Sequence, residues 1–179
     1  TDVYTSERPS ALAPWGTPVL VSALSIPGYD NHDTTGSISE DGLRIYFTRQ
    51  YHTGPGDFYS AERATRGSAW STPIATTSLN TTAHEHGIDV TADELFAVFG
   101  SARDGTSQYY SASRASISDP WSNIKPIASL AGFAPRAAAL SSDGLTLYVT
   151  SSSNSVIGAD DVWVLGRPDR AADFGPPVN

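Results

Sequence analysis

The chain has no cysteine, no methionine and one lysine, Lys125, among its 179 residues. Without cysteine there is no disulfide framework, no thiolate nucleophile and no soft metal ligand. Lysine and arginine together number 11 against 19 aspartates and glutamates, so the net charge is −8. The arginines are scattered and form no basic stripe that would neutralise phosphates, which argues against a nucleic-acid partner. The same acidity disfavours docking on anionic lipid. No apolar run approaches the roughly 20 residues of a membrane-spanning helix. No long stretch carries a helical period, no Gly-x-Ser-x-Gly elbow appears, and no glycine-rich phosphate loop precedes a helix. No leader segment is visible, and the chain begins at Thr1 rather than methionine. A processed secreted or periplasmic form would begin in this way, and so would an excised domain.

What the chain does have is turn formers and a repeat. The 15 glycines and 12 prolines suit many tight turns between short strands. About every fifty residues one pattern returns: Asp2-Val-Tyr-Thr-Ser-Glu-Arg8, Asp57-Phe-Tyr-Ser-Ala-Glu-Arg63, Gln108-Tyr-Tyr-Ser-Ala-Ser-Arg114 and Asp161-Val-Trp-Val-Leu-Gly-Arg167. An aromatic follows each at nearly constant distance, as Trp15, Trp70, Trp121 and Phe174. A second signal comes ahead of three of them. Ser39-Glu-Asp-Gly42, Thr91-Ala-Asp-Glu94 and Ser141-Ser-Asp-Gly144 each separate two short apolar runs. Asp-Gly between such runs marks a hairpin, because the turn needs residues that tolerate positive φ. The Ser and Thr hydroxyls, two residues before each aspartate, are placed to bond the turn backbone. Glu94 stands where the other turns have glycine, which predicts a different turn there.

Each unit thus reads as a four-stranded antiparallel blade. Its edge strand is of the Thr72-Pro-Ile-Ala-Thr76 type, where proline is tolerated. The S-x-x-D-G turn, the following Leu-x-Ile-Tyr-Phe strand, the D-x-Y-x-x-x-R strand and the W-x-x-P edge resemble the PD40 repeats. This is the bacterial WD40-like propeller family related to TolB. The resemblance implies an all-β fold, a β-propeller. It is nearly silent on activity, since such repeats occur in binding modules, cell-envelope proteins and carbohydrate-active enzymes.

The expected domain is a single partial propeller over residues 1–179. A half blade takes up about 1–26, and whole blades follow at about 27–79, 80–130 and 131–179. Propellers close with about four to eight blades. A second copy or another chain is therefore expected to complete the ring. The tryptophans are expected to pack between blades.

Propeller geometry gathers the loops around strands one, two and three at one end, near a central channel. That end receives Asn31-His-Asp33, His84-Glu-His86 and Pro135-Arg136, with Arg49-Gln-Tyr-His52, Arg103-Asp104 and Ser151-Ser-Ser-Asn154. His32, Asp33, His84, Glu85 and His86 are a candidate set for a divalent metal, imidazole giving lone pairs and carboxylate giving charge. Arg49, Tyr51, His52, Arg103, Asp104 and Arg136 are the candidate ligand-binding residues, the arginines suiting an anionic group. The opposing reading makes Asp33, Glu85 and Arg136 a structural ion network around the channel. Asp57 and Asp161 could bind calcium beside Gly54-Pro-Gly56 and Gly158-Ala159, or cap loop backbone.

Two functions follow. One is a non-catalytic binding or scaffolding module of the bacterial cell envelope or extracellular space, taking a protein segment or a glycan at the channel end. The alternative is a metal-dependent carbohydrate-active enzyme, a polysaccharide lyase or hydrolase, using the histidine cluster. The first is favoured, because no acid, base and nucleophile set can be placed.

Overall fold

The structure, a computed structural model, describes residues 2–26, 32–152 and 160–179. Its described residues are strands joined by turns, with only two single-turn 3-10 helices, Ser22–Leu24 and Ala128–Leu130. The strands β1 (Tyr4–Thr5) and β2 (Val19–Leu20) form a two-stranded first sheet. The second sheet runs β3 (His32–Ile38), β4 (Arg44–Gln50), β5 (Gly56–Glu62), β6 (Ile74–Ala75) in chain order. The third repeats that order with β7 (Glu85–Val90), β8 (Phe96–Ser101), β9 (Gln108–Ser113) and β10 (Ser122–Pro126). The fourth has β11 (Ala137–Leu140), β12 (Thr146–Ser151) and β13 (Asp161–Gly166). Its outer edge is the segment Gly175–Val178, held by the Gly175 amide on the Gly166 carbonyl (2.8 Å) and by the Val164–Val178 pair. Pro176 and Pro177 lack amide donors, so a longer ladder cannot form there.

Strand alternation lets every inner sheet serve two interfaces. Between the first and second sheets lie Val3, Leu24, Ile45, Phe47 and Ala61. Between the second and third lie Tyr46, Phe58, Leu79, Ile88, Val90, Phe99 and Tyr110. Between the third and fourth lie Val98, Tyr109, Leu130, Leu147, Val149 and Leu165. Odd positions of β4 thus face backward and Tyr46 faces forward. The second and third sheets approach so closely at Gly36 that a Cβ there would overlap the Ile88 carbonyl oxygen and lie 2.7 Å from its Cγ2.

The hairpin turns follow the expected chemistry. Ser39, Thr91 and Ser141 donate to Asp41, Asp93 and Asp143 (2.6, 2.7 and 2.6 Å). Each hydroxyl also accepts an amide of the next strand, from Arg44, Phe96 and Thr146. The Ser39 bond, then the Leu43 amide, hold the Asp41 carboxyl below its usual value. The Ser141 and Leu145 bonds do the same for Asp143.

Glu94 corrects one expectation. Its φ of 58° matches Gly42 at 73° and Gly144 at 72°, so the turn keeps its form despite the side chain. The side chain supplies the reason. It is buried, accepting Tyr46 Oη (2.7 Å) and Arg44 (3.0 and 3.1 Å) from the second sheet. Arg114 lies 3.7 Å from the same carboxylate. Burial and then this carboxylate push the Tyr46 hydroxyl up to about 12.

The repeated arginine and aromatic form one device per sheet. Arg63, Arg114 and Arg167 lie 4.4, 4.3 and 4.4 Å over Trp70, Trp121 and Phe174. Each donates Nε to the turn carbonyl of its own sheet, at Gly42, Glu94 and Gly144 (2.7, 2.7 and 2.8 Å). Each also donates a terminal nitrogen to a carbonyl three residues onward, at Arg66, Ile117 and Arg170. The guanidinium thus ties the hairpin turn to the outer loop, with stacking on the ring face. Trp121 and Trp70 also pack at sheet interfaces, Trp121 meeting Tyr46 edge-on at 6.4 Å.

Candidate functional site

The starts of strands one and three and the ends of strand two share one end of the sheets, opposite the Asp-Gly turns. Two of the arginines expected to bind ligand there, Arg49 and Arg103, are engaged in the architecture. Asp33, on β3, stands across from Arg49, on β4. Arg49 donates Nε and a terminal nitrogen to the two Asp33 oxygens, both at 2.8 Å, and both side chains are buried. The same guanidinium bonds the Leu24 carbonyl of the first sheet and lies 5.2 and 5.3 Å from the Phe47 and Tyr59 rings. Burial works to lower its pKa, but the bond and charge of Asp33 outweigh it and the pKa rises.

The third sheet repeats the arrangement two residues later in the chain. Arg103 donates to Glu85 (3.2 Å), to the Leu79 carbonyl of the second sheet (2.7 Å) and to Ser101 Oγ (2.8 Å). It lies 5.0 Å from both the Phe99 and Tyr110 rings. Glu85 is fully buried and also accepts Thr81 Oγ1. Each pair therefore fastens one sheet to the loop of the sheet before it. Removing either member would leave an uncompensated buried charge.

The five candidate metal ligands are not brought together. Among the described residues no group of three or more histidines and carboxylates is placed to hold a metal ion. Asp33 and Glu85 are taken by arginine, as just described. The His84 and His86 rings stack at 5.3 Å, and His84 Nδ1 accepts the Gly56 amide (2.8 Å). His86 Nδ1 is buried without a hydrogen-bond partner. Burial, followed by the neighbouring His84, holds the His86 imidazole below its ordinary value. His32 is exposed at the start of β3. Asn31, Asn154, Gly158 and Ala159 lie outside the described residues. Asp57 is half-buried, and burial followed by Glu85 pushes its carboxyl up.

What remains accessible differs from sheet to sheet. On the second sheet, Tyr51 and His52 are exposed, with Tyr51 Oη 3.5 Å from Tyr59 Oη. On the third, Asp104 is exposed and accepts Tyr110 Oη (2.6 Å). Burial and this carboxylate push Tyr110 up to about 12. On the fourth, Arg136 is exposed just before β11, with Asp160 3.6 Å away. The register puts Arg136 where Asp33 and Glu85 stand on their sheets, so an arginine has replaced the structural acid. Its backbone is fixed by Tyr109 Oη, which accepts the Arg136 amide (3.2 Å) and faces the Ala137 and Thr150 carbonyls. Tyr59, Tyr109 and Asp160 escaped the sequence reading, since only the strand register reveals whom they touch.

No family model matches the chain, and no curated protein matches it. Solved structures do. The putative TolB from Agrobacterium tumefaciens superposes with a TM-score of 0.58 at 17% identity, over 84% of this chain and 49% of that one. TolB from Acinetobacter baumannii superposes with a TM-score of 0.55 at 18% identity, over 91% of this chain and 36% of that one. The chain thus spans half or less of these structures. At such identity the likeness shows the fold alone, an all-β partial propeller of the TolB type.

Proposed function

We propose that the chain is a non-catalytic binding module whose channel end takes an extended protein segment. One observation carries this reading. Buried arginine–carboxylate pairs lock the loops, while Tyr51 and His52, Asp104 and Arg136 stay exposed, each on a different sheet. Recognition groups spread over three successive sheets suit a segment that crosses several blades better than a compact small molecule. Exposed tyrosine and arginine on a rigid base are the residue types that dominate protein recognition. A cell-envelope or extracellular setting follows from the resemblance to envelope propellers alone. No helix among the described residues is long and apolar enough to cross a membrane. The alternative, a metal-dependent lyase or hydrolase, has less support, because among the described residues no histidines and carboxylates converge and Asp33 and Glu85 neutralise buried arginines.

The test is an array of extended peptides probed with the full chain. A bound peptide should lose about tenfold or more in affinity for Arg136→Ala and for Tyr51→Ala. The urea midpoint should stay unchanged in both, since these side chains are exposed. An array without a binder, or a binder indifferent to both substitutions, refutes the reading.

A further inference from the structure

The groove between the third and fourth sheets departs from its counterpart one repeat earlier. Between the second and third sheets that groove is lined by Arg44, Tyr46, Glu62 and Arg114, and its charges are paired. Arg44 meets Glu62 and the buried Glu94 (2.8 and 3.0 Å). Arg114 donates to Tyr46 Oη (2.8 Å), with the same Glu94 carboxylate 3.7 Å away. The strand register names the residues that take these places in the next interface. Phe96 pairs with Ser113 where Arg44 pairs with Glu62, and Val98 pairs with Ser111 where Tyr46 pairs with Ser60. Gly144 holds the turn position of Glu94. The two side-chain groups that satisfy Arg114, a hydroxyl and a carboxylate, are therefore replaced around Arg167 by a valine and a glycine.

Arg167 is 9% exposed, and its guanidinium is held between the Phe96 and Phe174 rings at 4.1 and 4.4 Å. Nε and Nη1 reach the Gly144 and Arg170 carbonyls, but Nη2 is buried without a hydrogen-bond partner. Burial, then the neighbouring Arg170, hold its pKa below the ordinary arginine value. The residue lines a cavity of about 260 Å³ together with Ser111, Ser113, Asn123 and Ser129. Ser129 carries a second buried atom without a partner, Oγ, whereas its counterpart Ser78 accepts the Trp121 amide (3.2 Å). Lys125 and Arg170 also line the cavity, and each already has an acid: Asp173 for Lys125 (2.6 Å) and Asp93 for Arg170. Arg167 has no ion-pair partner among the described residues, in a chain whose net charge is −8.

We propose that this cavity binds a small hydroxylated anion, its carboxylate or phosphoryl group seated against the Arg167 guanidinium and its hydroxyls on Ser111, Ser113 and Ser129. A buried cation without a counter-charge is costly, and the acid group supplies the missing charge. In a setting of low dielectric that contact is stronger than it would be in water. One arginine is free and the other two cations are already paired, so the site takes a single acid group and not a polyanion. Tyr51, His52, Asp104 and Arg136 do not line the cavity. The site is therefore independent of the protein segment proposed for the channel end, and the two readings can fail separately.

The test is two-dimensional amide NMR of the isotope-labelled full chain, titrated separately with gluconate, glucose 6-phosphate and glucose. One or both anions should shift the amides of Ser113, Ser129 and Arg167 and saturate, and the tighter of the two identifies the acid group. Neutral glucose should bind at least about tenfold more weakly. Ser113→Glu puts a carboxylate where the second sheet has Glu62, and it should weaken the anion about tenfold by like-charge repulsion. Ser113→Gln, of the same size without the charge, should bind within about threefold of the parent. Arg167→Gln should abolish binding; because Arg167 also ties the turn to the outer loop, the Ser113 pair decides the matter if that variant does not fold. Absence of saturable shifts with both anions overturns the proposal. Glucose binding as tightly as the anions, or anion binding indifferent to Ser113→Glu, overturns it equally. So would shifts centred on Tyr51 and Arg136, which would place the anion at the channel end.

Discussion

Replacing Glu94 by glycine would restore the turn residue found in the other two repeats, and it sets two effects against each other. Glycine removes the strain of a side chain at φ 58°, worth about 1 kcal/mol. Part of that gain is cancelled, because glycine makes the unfolded chain more flexible by about 0.5–1 kcal/mol. Against it stands the loss of a buried carboxylate that faces Arg44, Arg114 and Tyr46. Stripping one partner from a buried ion pair costs about 3–5 kcal/mol. The low end applies here. Arg44 keeps Glu62 (2.8 Å), and Arg114 keeps the carbonyl of residue 94, the Ile117 carbonyl and Tyr46 Oη. The electrostatic loss should therefore win, with a net destabilisation of about 2–3 kcal/mol. At a urea slope of about 2 kcal/mol per molar, the midpoint should fall by about 1 M with the slope unchanged. Glu94→Gln separates the two effects, because it keeps the backbone and the shape and removes only the charge. It should lose about 2 kcal/mol, little changed by added salt, since a buried pair is weakly screened. Equilibrium urea unfolding of the three proteins measures this directly. A Glu94→Gly variant as stable as the parent would mean that the inter-sheet carboxylate contributes nothing beyond the strain it imposes, and the account of this turn would fail.

Gly36→Ala should destabilise by about 3 kcal/mol in the same assay, because the added carbon meets the backbone of β7 and only separation of two sheets makes room for it. His86 should make stability pH-dependent. Its folded pKa lies below the 6.5 of an unfolded histidine, so on acidification the unfolded chain takes up the proton first, and stability falls as pH drops through about 6.5. His86→Gln should lose less stability than the parent between pH about 7.5 and about 5.5; an equal loss would assign the dependence to other groups.

The architecture was legible because its devices are local. The arginine, the aromatic after it and the Asp-Gly turn recur at fixed spacings, and each sheet uses them to fasten itself, so repeated sequence maps onto repeated contacts. The channel end was harder to read because its pairings depend on which face of a strand a residue takes. His84, just ahead of β7, stacks its ring on that of His86, and a period of two along the extended chain then puts Glu85 on the other face. That alternation alone separates the carboxylate from the imidazoles, and it was available in the sequence. The partners of Asp33 and Glu85 needed more. Arg49 is found through the hairpin register, but Arg103 lies two residues past the register partner of Glu85 and reaches back. Glu94 looked like a break in its turn because its compensating partners, Arg44 and Tyr46, lie a whole repeat away on another sheet.

In a chain built of repeats, a residue that recurs is best explained by what every sheet needs, and specificity must be sought in departures. The paired acid and arginine at the channel end recur on the second and third sheets, where they bind the preceding loop. The fourth sheet breaks the pattern, with Arg136 in the acid's place, exposed, and with an exposed aspartate, Asp160, 3.6 Å away. An ion pair so open to water contributes about 0–1 kcal/mol, far less than the buried pairs of the second and third sheets. Its backbone is nonetheless pinned by Tyr109 Oη, a hydroxyl that reaches across from the third sheet. A cation held in place by its backbone and open to water, at the end of the sheets opposite the Asp-Gly turns, is the group on which the proposed recognition of a protein segment chiefly rests.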